Sequence, residues 1–498
     1  MEINKNRAPS ELVFIPTPGM GHLMSAVKLA KLILKRNKTI SILFIVINVP
    51  LNLSMVKSYI HSQSHHNPYP TRLTFHILPP LSNPPDPTTP NYLKNFIELH
   101  NPLVKHSVID RTMAGLSSPI GFILDMLCTS MIDIATDLNI PSYIFFPSGT
   151  GFLNLMLHFQ NMADLENIDI ATKFSDPDIV FNMPGLENQI TGKAVPRIFL
   201  EVEGGCSMIL EHARRFRKCK GILINSYVEL ERVGFKALFD QVEMGQIPTV
   251  FPVGPILDLD EKIRSESNEE DEVQSIVDWL DNQPSSSVVF LCFGSMGSFD
   301  EEQVKEIAKG LDDSGHRFLW SLRKPPSSEG KYGAPSLHET FVEALPQGFI
   351  DGTADRGKII GWAPQALILA HSAIGGFVSH CGWNSTLESL WFGVPMATWP
   401  VYAEQQLNAF QLVKELGISV EIRMDYRYVW NTKKGNFVVK AKEIKNGIKK
   451  VMNLDEEMKS KAREMKNKGR EALEIGGSSY DWLGRFIEDV LSKDPERC

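Results

Sequence analysis

Short, fully apolar runs alternate with segments of helical periodicity along most of the chain. Near the start, residues 12–15 are apolar, apolar side chains recur every three to four residues between 23 and 35, and residues 40–49 are again nearly all apolar. A continuous apolar run bounded by turn residues is typical of a strand buried in a parallel sheet, whereas the wider spacing is typical of an amphipathic helix. The order strand, helix, strand predicts the beginning of a doubly wound α/β domain.

The same alternation continues through the rest of the chain in two halves. Further strands are predicted at residues 74–78, 120–124, 143–146, 221–225, 250–253, 287–293, 318–322, 358–360, 373–378 and 419–422. Further helices are predicted at residues 300–312, 407–416 and 480–491, with more than one between 442 and 473. Residues 160–205 lack a sustained period and are expected to form loops and short helices. Two consecutive α/β domains are therefore expected.

A change of composition marks the expected domain boundary. Residues 258–272 are polar and mostly acidic, which is typical of an exposed linker, and solvation explains this charge run more simply than a binding role. The predicted parts are an N-terminal domain at 1–255, an acidic interdomain linker at 256–275, a C-terminal domain at 276–475 and a C-terminal helix within 476–498.

Composition and charge narrow the class of protein. The chain has 498 residues, of which 43% are hydrophobic and 22% charged, as expected for an ordinary globular protein. A net charge of −8, with no basic cluster interleaved with aromatic residues, argues against a nucleic-acid partner. No apolar run reaches the roughly 18 residues that a membrane span requires. The N-terminus lacks a signal-peptide pattern and the six cysteines show no C-x-x-C spacing, so we expect a cytoplasmic protein with reduced thiols.

Two polar residues follow strands of the N-terminal half. His22 lies at the beginning of the helix after the first strand, and Asp125 ends the strand predicted at 120–124. The carboxyl ends of strands in an α/β domain meet in one crevice, so the two side chains are expected to approach each other. His22 would then act as a general base, with Asp125 holding its tautomer and stabilising the imidazolium. A helix cap or a loop position is the simpler interpretation of either residue, and Asp133 competes with Asp125 for the acidic role.

A stretch between Gly361 and Gln406 combines residue types that a packed core alone does not require. It holds several of the chain's tryptophans, together with prolines, two histidines, a Cys and two acidic residues. Within it, the apolar run 373–378 predicts a buried strand, residues 379–384 a tight turn, and the residues from Ser385 onward a helix. A strand, a glycine-containing turn and a helix N-terminus form an anion site, because the first amides of the helix are unpaired and its dipole attracts negative charge.

The residues from Trp362 to Gln405 resemble the signature box of plant-type UDP-sugar-dependent glycosyltransferases, glycosyltransferase family 1. The resemblance runs without interruption from W-A-P-Q through H-C-G-W-N-S to E-Q. The P-x-P-G-x-G-H context of His22 and the L-D-x-x-C context of Asp125 are similar to those of the family's catalytic pair. The resemblance implies an α/β protein of the GT-B type, in which two doubly wound Rossmann-like domains face a central cleft and the C-terminal helix packs back on the N-terminal domain.

The resemblance also implies a role for each residue of the box. Trp362 would stack on uracil, Ala363 would pair with it through the backbone, and Gln365 and Glu388 would bind the ribose. The diphosphate would be surrounded by His380, Gly382, Asn384, Ser385 and, from the strand predicted at 287–293, Ser295. The sugar would be met by Trp383, Glu404 and Gln405. Gln405 resembles members that use UDP-glucose, whereas many members carry Asp where this chain has Glu404. Glu388 has a competing interpretation as the acid of a capping box that begins at Ser385.

An inverting glycosyltransferase is the function that these residues indicate. His22 would deprotonate a hydroxyl of a small lipophilic acceptor, such as a flavonoid, another phenolic or a terpenoid, and that hydroxyl would attack C1 of UDP-glucose to give a β-glucoside. Neither a cofactor nor a metal is expected, because the helix N-terminus and its neighbouring donors would stabilise the departing UDP. Candidates for lining an apolar acceptor pocket are Met126, Phe146, Met183, Phe199 and Met208. A monomer is expected.

Three other functions compete with this one. A UDP-sugar or small-molecule binding protein without turnover would share the box, and replacing His22 by Ala would separate the two classes. A nicotinamide-dependent oxidoreductase is disfavoured because Gly19-Met20-Gly21 lacks the third glycine of G-x-G-x-x-G. An α/β-hydrolase is disfavoured because the sequence contains no G-x-S-x-G elbow.

Overall fold

A computed structural model of the chain describes residues 10–47, 53–65, 67–87, 89, 91–257, 259, 267–325, 340–427 and 437–492. Its contacts divide the chain into two compact units. Unit 1 consists of Met1–Asn167, Glu203–Ile256 and Glu471–Cys498, and unit 2 consists of Ile168–Val202 and Leu257–Arg470. Residues 258 and 260–266 of the predicted acidic linker lie outside the described residues.

Strands and helices alternate along the chain. The strands are β1 (Ser10–Ile15), β2 (Ile40–Val46), β3 (Leu73–Ile77), β4 (Ser118–Asp125), β5 (Ser142–Phe146), β6 (Val180–Phe181), β7 (Ile190–Thr191), β8 (Gly221–Ile224), β9 (Thr249–Pro252), β10 (Val288–Cys292), β11 (Arg317–Ser321), β12 (Gly357–Ile360), β13 (Ile374–Ser379), β14 (Met396–Thr398) and β15 (Ser419–Glu421).

The helices that separate and flank these strands vary widely in length. They are α1 (Met20–Arg36), α2 (Leu53–His65), α3 (Tyr92–Leu99), α4 (Asn101–Met113), α5 (Ile132–Asp137), α6 (Thr150–Leu165), α7 (Ile170–Lys173), α8 (Gly205–Phe216), α9 (Arg232–Glu243), α10 (Ser267–Asp281), α11 (Glu301–Ser314), α12 (Phe349–Gly352), α13 (Gln365–Ala370), α14 (Trp383–Phe392), α15 (Gln405–Phe410), α16 (Ala441–Met452), α17 (Glu456–Leu473) and α18 (Ser478–Leu491). Short 3-10 turns lie at Thr129–Met131, Gly192–Ala194, Arg197–Leu200 and Val342–Ala344, and a π-helical turn lies at Gln411–Glu415. In the parts of the chain that the structure describes, no helix has the length and apolar character of a membrane span.

Unit 1 is built on a parallel sheet of seven strands in the order β3-β2-β1-β4-β5-β8-β9. The strand order reverses at β1, which pairs with β2 on one side and β4 on the other. Ile15 and Leu124 are in register near the ends of β1 and β4. The loops after these two strands therefore leave the same edge of the sheet side by side, at the point where doubly wound sheets place their ligands.

The C-terminal helix α18 completes the core of unit 1, although it follows unit 2 in sequence. Its Phe486 packs edge-on against the rings of Tyr143 and Phe251, with ring centroids 5.2 and 5.6 Å apart. Trp482 stacks on Phe239 with a centroid distance of 5.4 Å. These aromatic contacts bury the apolar face of α18. That burial stabilises the packing of the helix on unit 1.

Unit 2 carries a second parallel sheet, of six strands in the order β12-β11-β10-β13-β14-β15. Its strand order also reverses in the middle, where β10 pairs with β11 and with β13. All five residues of β10 are buried, as its unbroken apolar sequence predicts. With parallel sheets and alternating helices in both units, the predicted α/β class with two Rossmann-like domains is confirmed.

Residues 168–202 belong to unit 2, whereas the predicted boundary at residue 255 places them in the N-terminal domain. The guanidinium of Arg427 donates hydrogen bonds to three backbone carbonyls within residues 192–195. The carboxylate of Glu415 accepts hydrogen bonds from the backbone amides of residues 187 and 188. These polar contacts with the second half of the chain hold the segment to unit 2.

Two elements begin at residues other than those predicted. Helix α14 begins at Trp383 rather than at Ser385, because the extended Gly382 serves as its N-cap. Helix α10 begins at Ser267, so the stretch predicted as a linker at 256–275 is helical from that residue onward.

Candidate active site

His22 and Asp125 lie together at the carboxyl edge of the sheet in unit 1. His22 is the third residue of α1, and Asp125 is the last residue of β4. Because β1 and β4 are neighbours, His22 Nδ1 lies 2.8 Å from Asp125 Oδ2. The His22 side chain is 33% exposed and that of Asp125 only 1%. A buried acid thus supports an imidazole that solvent and ligands can reach.

Hydrogen-bond donors fix the Asp125 carboxylate on its other side. Thr17 Oγ1 donates to Asp125 Oδ1 over 2.5 Å, and the backbone amide of Leu127 donates to the same oxygen over 3.2 Å. An ionised carboxylate only accepts hydrogen bonds, so His22 Nδ1 carries the hydrogen of their shared bond and Nε2 is the basic nitrogen of the ring. This is the tautomer that a general base requires.

Thr17 is not among the residues predicted from the sequence. It lies two residues after β1, and residues just past a parallel strand lie at the edge where ligands bind. Its position after the strand was the one feature of the sequence that could have indicated a role in the site, but a threonine between two prolines suits a turn equally well. The contact with Asp125 depends on the pairing of β1 with β4, which the sequence does not show directly.

Asp133 and Cys128, which lie near His22 and Asp125 in the sequence or in the structure, do not take part in proton transfer. Asp133 lies exposed on α5, where its carboxylate pairs with Arg215 Nη1 over 2.9 Å, so it does not compete for His22. Cys128 is fully buried, with its Sγ 3.7 Å from Thr17 Oγ1. Burial, reinforced by the nearby charge of Asp125, raises the pKa of the Cys128 thiol well above its usual range, so it stays a neutral thiol.

The residues predicted to line an acceptor pocket are divided between the two units. Phe146 is fully buried in β5, between the rings of Phe152 and Phe216, and is a core residue. Met183 and Phe199 belong to unit 2, whereas Met126 and Met208 belong to unit 1. Beside the His22 turn, an apolar hollow is lined by residues 16–19 together with Leu23, Val46, Ile47 and Val56.

In unit 2 the residues predicted to bind the diphosphate lie in two turns after neighbouring strands. The turn after β10 carries Ser295, whose side chain is exposed. The turn after β13 carries His380 and Gly382, and α14 begins immediately after it. Asn384 and Ser385 lie in the first turn of α14, where the helix dipole favours an anion.

His380 packs between these two turns. The residue is 5% exposed, and a Cβ would lie 2.3 Å from His380 Nε2 if added at Gly294 and 2.5 Å if added at Gly382. Gly294 also has a φ of +73°, which favours glycine independently of the contact. Burial, followed by the charge of Arg323, lowers the pKa of His380 to about 3. The imidazole is therefore neutral near pH 7 and can donate a hydrogen bond but supplies no positive charge.

Gln365, Ser385 and Glu388 lie together beside the start of α14. Gln365 Nε2 donates to Ser385 Oγ over 2.8 Å and to Glu388 Oε2 over 2.6 Å. Because α14 begins at Trp383, Glu388 lies in its second turn and the capping-box interpretation is wrong. An amide and a carboxylate held side by side offer both donors and acceptors, which suits a pair of neighbouring hydroxyl groups.

Glu404 and Gln405 lie at the start of α15. Glu404 is the half-buried N-cap residue, whereas Gln405 is 2% exposed. Gln405 Oε1 accepts hydrogen bonds from the backbone amides of Val401 and Tyr402 over 2.8 and 2.9 Å. The side-chain oxygen of Gln405 thus holds the preceding turn, and a contact with a sugar has to come from its amide nitrogen.

Trp362, Ala363, Trp383 and Asn384 complete the predicted set. Trp362 and Ala363 lie half-buried in the turn between β12 and α13. Trp383 is buried and Asn384 half-buried in the first turn of α14. Among the residues that the structure describes, no group of three or more His, Cys, Asp or Glu side chains is arranged to hold a metal ion.

Comparison with known proteins identifies the family. Residues 226–454 match a family model described as UDP-glucoronosyl and UDP-glucosyl transferase. The chain is 46% identical to the putative UDP-glucose flavonoid 3-O-glucosyltransferase 3 of Fragaria ananassa, over 97% of this chain and 99% of that one. It belongs to the UDP-glycosyltransferase family. The resemblance inferred from the signature box is thereby confirmed.

Two further relatives extend this similarity to the three-dimensional structure. The chain is 47% identical to anthocyanidin 3-O-glucosyltransferase 1 of Manihot esculenta, over 95% of this chain and 100% of that one. Among solved structures, UGT71G1 of Medicago truncatula complexed with UDP-glucose matches with a TM-score of 0.84 and 41% identity, over 99% of this chain and 100% of that one. The chain is therefore a GT-B transferase, and the oxidoreductase and hydrolase alternatives are excluded.

Proposed function

We propose that this UDP-glycosyltransferase transfers glucose from UDP-glucose to a hydroxyl of a small phenolic acceptor, with inversion at C1, to give a β-glucoside. The hydrogen-bonded pair of His22 and Asp125 carries the proposal, because it supplies the base that such a transfer needs. The names of the Fragaria and Manihot relatives support a flavonoid or anthocyanidin acceptor. The Medicago structure, which holds UDP-glucose, supports the donor.

Proton transfer is the task of unit 1. The acceptor hydroxyl gives its proton to His22 Nε2 while its oxygen forms the bond to C1 of glucose and the bond from C1 to UDP breaks. Asp125 accepts the hydrogen bond from Nδ1 and stabilises the imidazolium that results. Because this carboxylate is buried, its attraction for the imidazolium is screened less than it would be in water. The exposed edge of His22 then releases the proton to solvent.

Binding of the donor is the task of unit 2. We assign the uracil to Trp362 and Ala363, the ribose hydroxyls to Gln365 and Glu388, the diphosphate to Ser295, His380, Gly382, Asn384 and Ser385, and the sugar to Trp383, Glu404 and Gln405. UDP gains negative charge as it leaves, and the positive end of the α14 dipole stabilises that charge. No step of this proposal uses a metal ion.

The cysteines bear on the compartment in which the enzyme acts. Cys128, Cys206, Cys219, Cys292 and Cys381 are buried free thiols, which supports a reducing compartment, and we place the enzyme in the cytosol.

Release of UDP from UDP-glucose, measured with a panel of flavonoids, simpler phenols and terpenoid alcohols, tests the proposal. We expect release that depends on the acceptor in the wild type and falls by about 10²- to 10⁴-fold in His22→Ala, as for loss of a general base. His106→Ala is the matched control, since His106 is an exposed histidine of unit 1 that contacts its own helix backbone.

Each outcome of this experiment separates two functions. Clear binding of UDP-glucose without release for any acceptor would favour a binding protein and contradict transfer. Release that survives in His22→Ala at the rate of the His106→Ala control would leave the transfer standing and reject His22 as the base.

A further inference from the structure

Arg323 is a buried arginine next to the turns of the proposed diphosphate site. It lies two residues after β11, and its backbone forms a bridge with Thr340. Since β11 pairs with β10, Arg323 lies beside the turn that follows β10 and carries Ser295. The residue is only 6% exposed, so its guanidinium is withdrawn from water.

The guanidinium binds one backbone turn at three points. Arg323 Nη1 donates to the carbonyl of Ser295 over 2.9 Å, and Nη2 donates to the carbonyl of Gly297 over 3.2 Å and to that of Gly294. Three carbonyls of residues 294–297 thus converge on one planar cation. The contact fixes the backbone of a turn whose only exposed polar side chain is that of Ser295.

Within the described part of the chain, Arg323 forms no ion pair with a carboxylate, and its guanidinium contacts only backbone carbonyls. The titratable side chains nearest in influence on Arg323 are the Cys292 thiol and the Tyr402 hydroxyl, and burial raises the pKa of both, so neither carries a charge near pH 7. Burial lowers the pKa of Arg323, but arginine remains protonated in proteins. A buried cation without a counter-ion is costly to a protein, and a bound anion would offset that cost.

The neighbouring imidazole cannot replace this charge. The His380 ring touches the same turn at Gly294 and is neutral near pH 7, partly because of Arg323 itself. Arg323 thus supplies a full positive charge beside this turn, and the α14 N-terminus adds a partial one.

We propose that Arg323 is a positioning residue for the leaving group: it holds the turn at 294–297 against His380 and provides a fixed positive charge behind the diphosphate. The inference rests on the proposed donor site. UDP carries more negative charge after the bond to C1 breaks than it does within UDP-glucose. The charge of Arg323 thus stabilises the transition state and free UDP more than the bound substrate, which makes it a determinant of kcat as well as of UDP affinity.

Calorimetric titration of the full-length protein with UDP and with uridine tests this role. Arg323→Gln keeps a hydrogen-bond donor but removes the charge, and Arg323→Lys keeps the charge but loses the planar fork. We expect Arg323→Gln to weaken UDP about tenfold or more while uridine binding changes by less than about twofold, with kcat for UDP-glucose falling in parallel. Arg323→Lys should lie between Arg323→Gln and the wild type in both measurements.

Arg72→Gln is the matched control. Arg72 also donates to three backbone carbonyls, those of Asn37, Leu34 and Ile40, but it lies in unit 1 at the amino edge of its sheet. Its replacement removes the same kind of contact, and we expect the affinities for UDP and uridine to stay at wild-type values.

Equal weakening of UDP and uridine in Arg323→Gln, or unchanged UDP affinity, would overturn the inference. If Arg323→Gln shows no cooperative thermal unfolding, Arg323→Lys decides in the same way: a loss selective for UDP supports the role, and an equal or absent loss overturns it. A wild type that binds neither UDP nor UDP-glucose would instead overturn the proposed function, and this inference with it.

Discussion

Replacing Asp125 by Asn should damage catalysis more than replacing it by Ala. In the native protein, Asp125 Oδ1 accepts from Thr17 Oγ1 and from the backbone amide of Leu127, while Oδ2 faces His22 Nδ1 at 2.8 Å. A backbone amide cannot reverse its role, so the oxygen of an Asn side chain has to occupy the Oδ1 position. Its NH₂ group then faces His22 Nδ1 and donates to it.

This reversal changes the tautomer of His22. When Nδ1 accepts a hydrogen bond, the ring hydrogen moves to Nε2, which can no longer take a proton from the acceptor hydroxyl. General base catalysis contributes about 10²- to 10⁴-fold, which corresponds to about 3 to 5 kcal/mol of the activation free energy. Asp125→Ala removes the orienting acid but imposes no wrong tautomer, and we expect it to retain about tenfold more activity than Asp125→Asn.

Single-turnover rates of glucosyl transfer for the two variants, with thermal unfolding and UDP affinity as controls, check this order. UDP affinity should be unchanged in both, because Asp125 belongs to unit 1 and the proposed donor groups to unit 2. An Asp125→Asn enzyme within tenfold of wild type, or one more active than Asp125→Ala, would refute the assigned hydrogen-bond directions.

Two further predictions concern unit 2 and the buried histidines. Gly294→Ala should raise the Kd for UDP and lower the free energy of unfolding by about 2 kcal/mol or more, because its Cβ would lie 2.3 Å from His380 Nε2. Gly315→Ala is the control, since Gly315 has the same φ of +73° with nothing within 4 Å of the added Cβ; equal effects of the two variants would contradict the contact. The free energy of unfolding should also fall as the pH drops from about 6.5 toward 4. Burial lowers the pKa of His380 to about 3 and that of His212 to about 4 in the folded protein. In this pH range the unfolded chain binds protons at both histidines and the folded chain does not, so acid favours unfolding. Each group contributes up to about 1.4 kcal/mol per pH unit, and urea unfolding at pH 7 and pH 5 that shows no loss would contradict this.

The parallel sheets could be predicted from the sequence because their strands are buried on both faces. Strands such as β2 and β10 consist entirely of buried residues, which leaves an unbroken apolar run as their signal. Several helices gave no comparable signal. Helix α6 is buried on nearly all sides, so its sequence lacks the polar face on which a helical period depends. In α4 the buried residues are only Val104 and Val108, too few to establish a period.

Some residues of the candidate site could be predicted from local sequence, whereas others depend on contacts that are distant in sequence. The box residues are close in sequence, so the resemblance named them together and the structure places Gln365, Ser385 and Glu388 in contact. Thr17 and Arg323 escaped prediction because their roles come from partners more than a hundred residues away or on a neighbouring strand. The return of residues 168–202 to unit 2 also depends on a distant partner, Arg427. Such contacts follow from strand order and tertiary packing rather than from local sequence.

The anomeric configuration of the product gives the sharpest test of inverting glucosyl transfer. The wild-type enzyme would be incubated with UDP-glucose and a flavonoid, and the coupling constant of the anomeric proton in the purified product would be measured by NMR. A large coupling, typical of a β-glucoside, is the predicted result. A small coupling, typical of an α-glucoside, would contradict direct attack by an acceptor oxygen that His22 deprotonates.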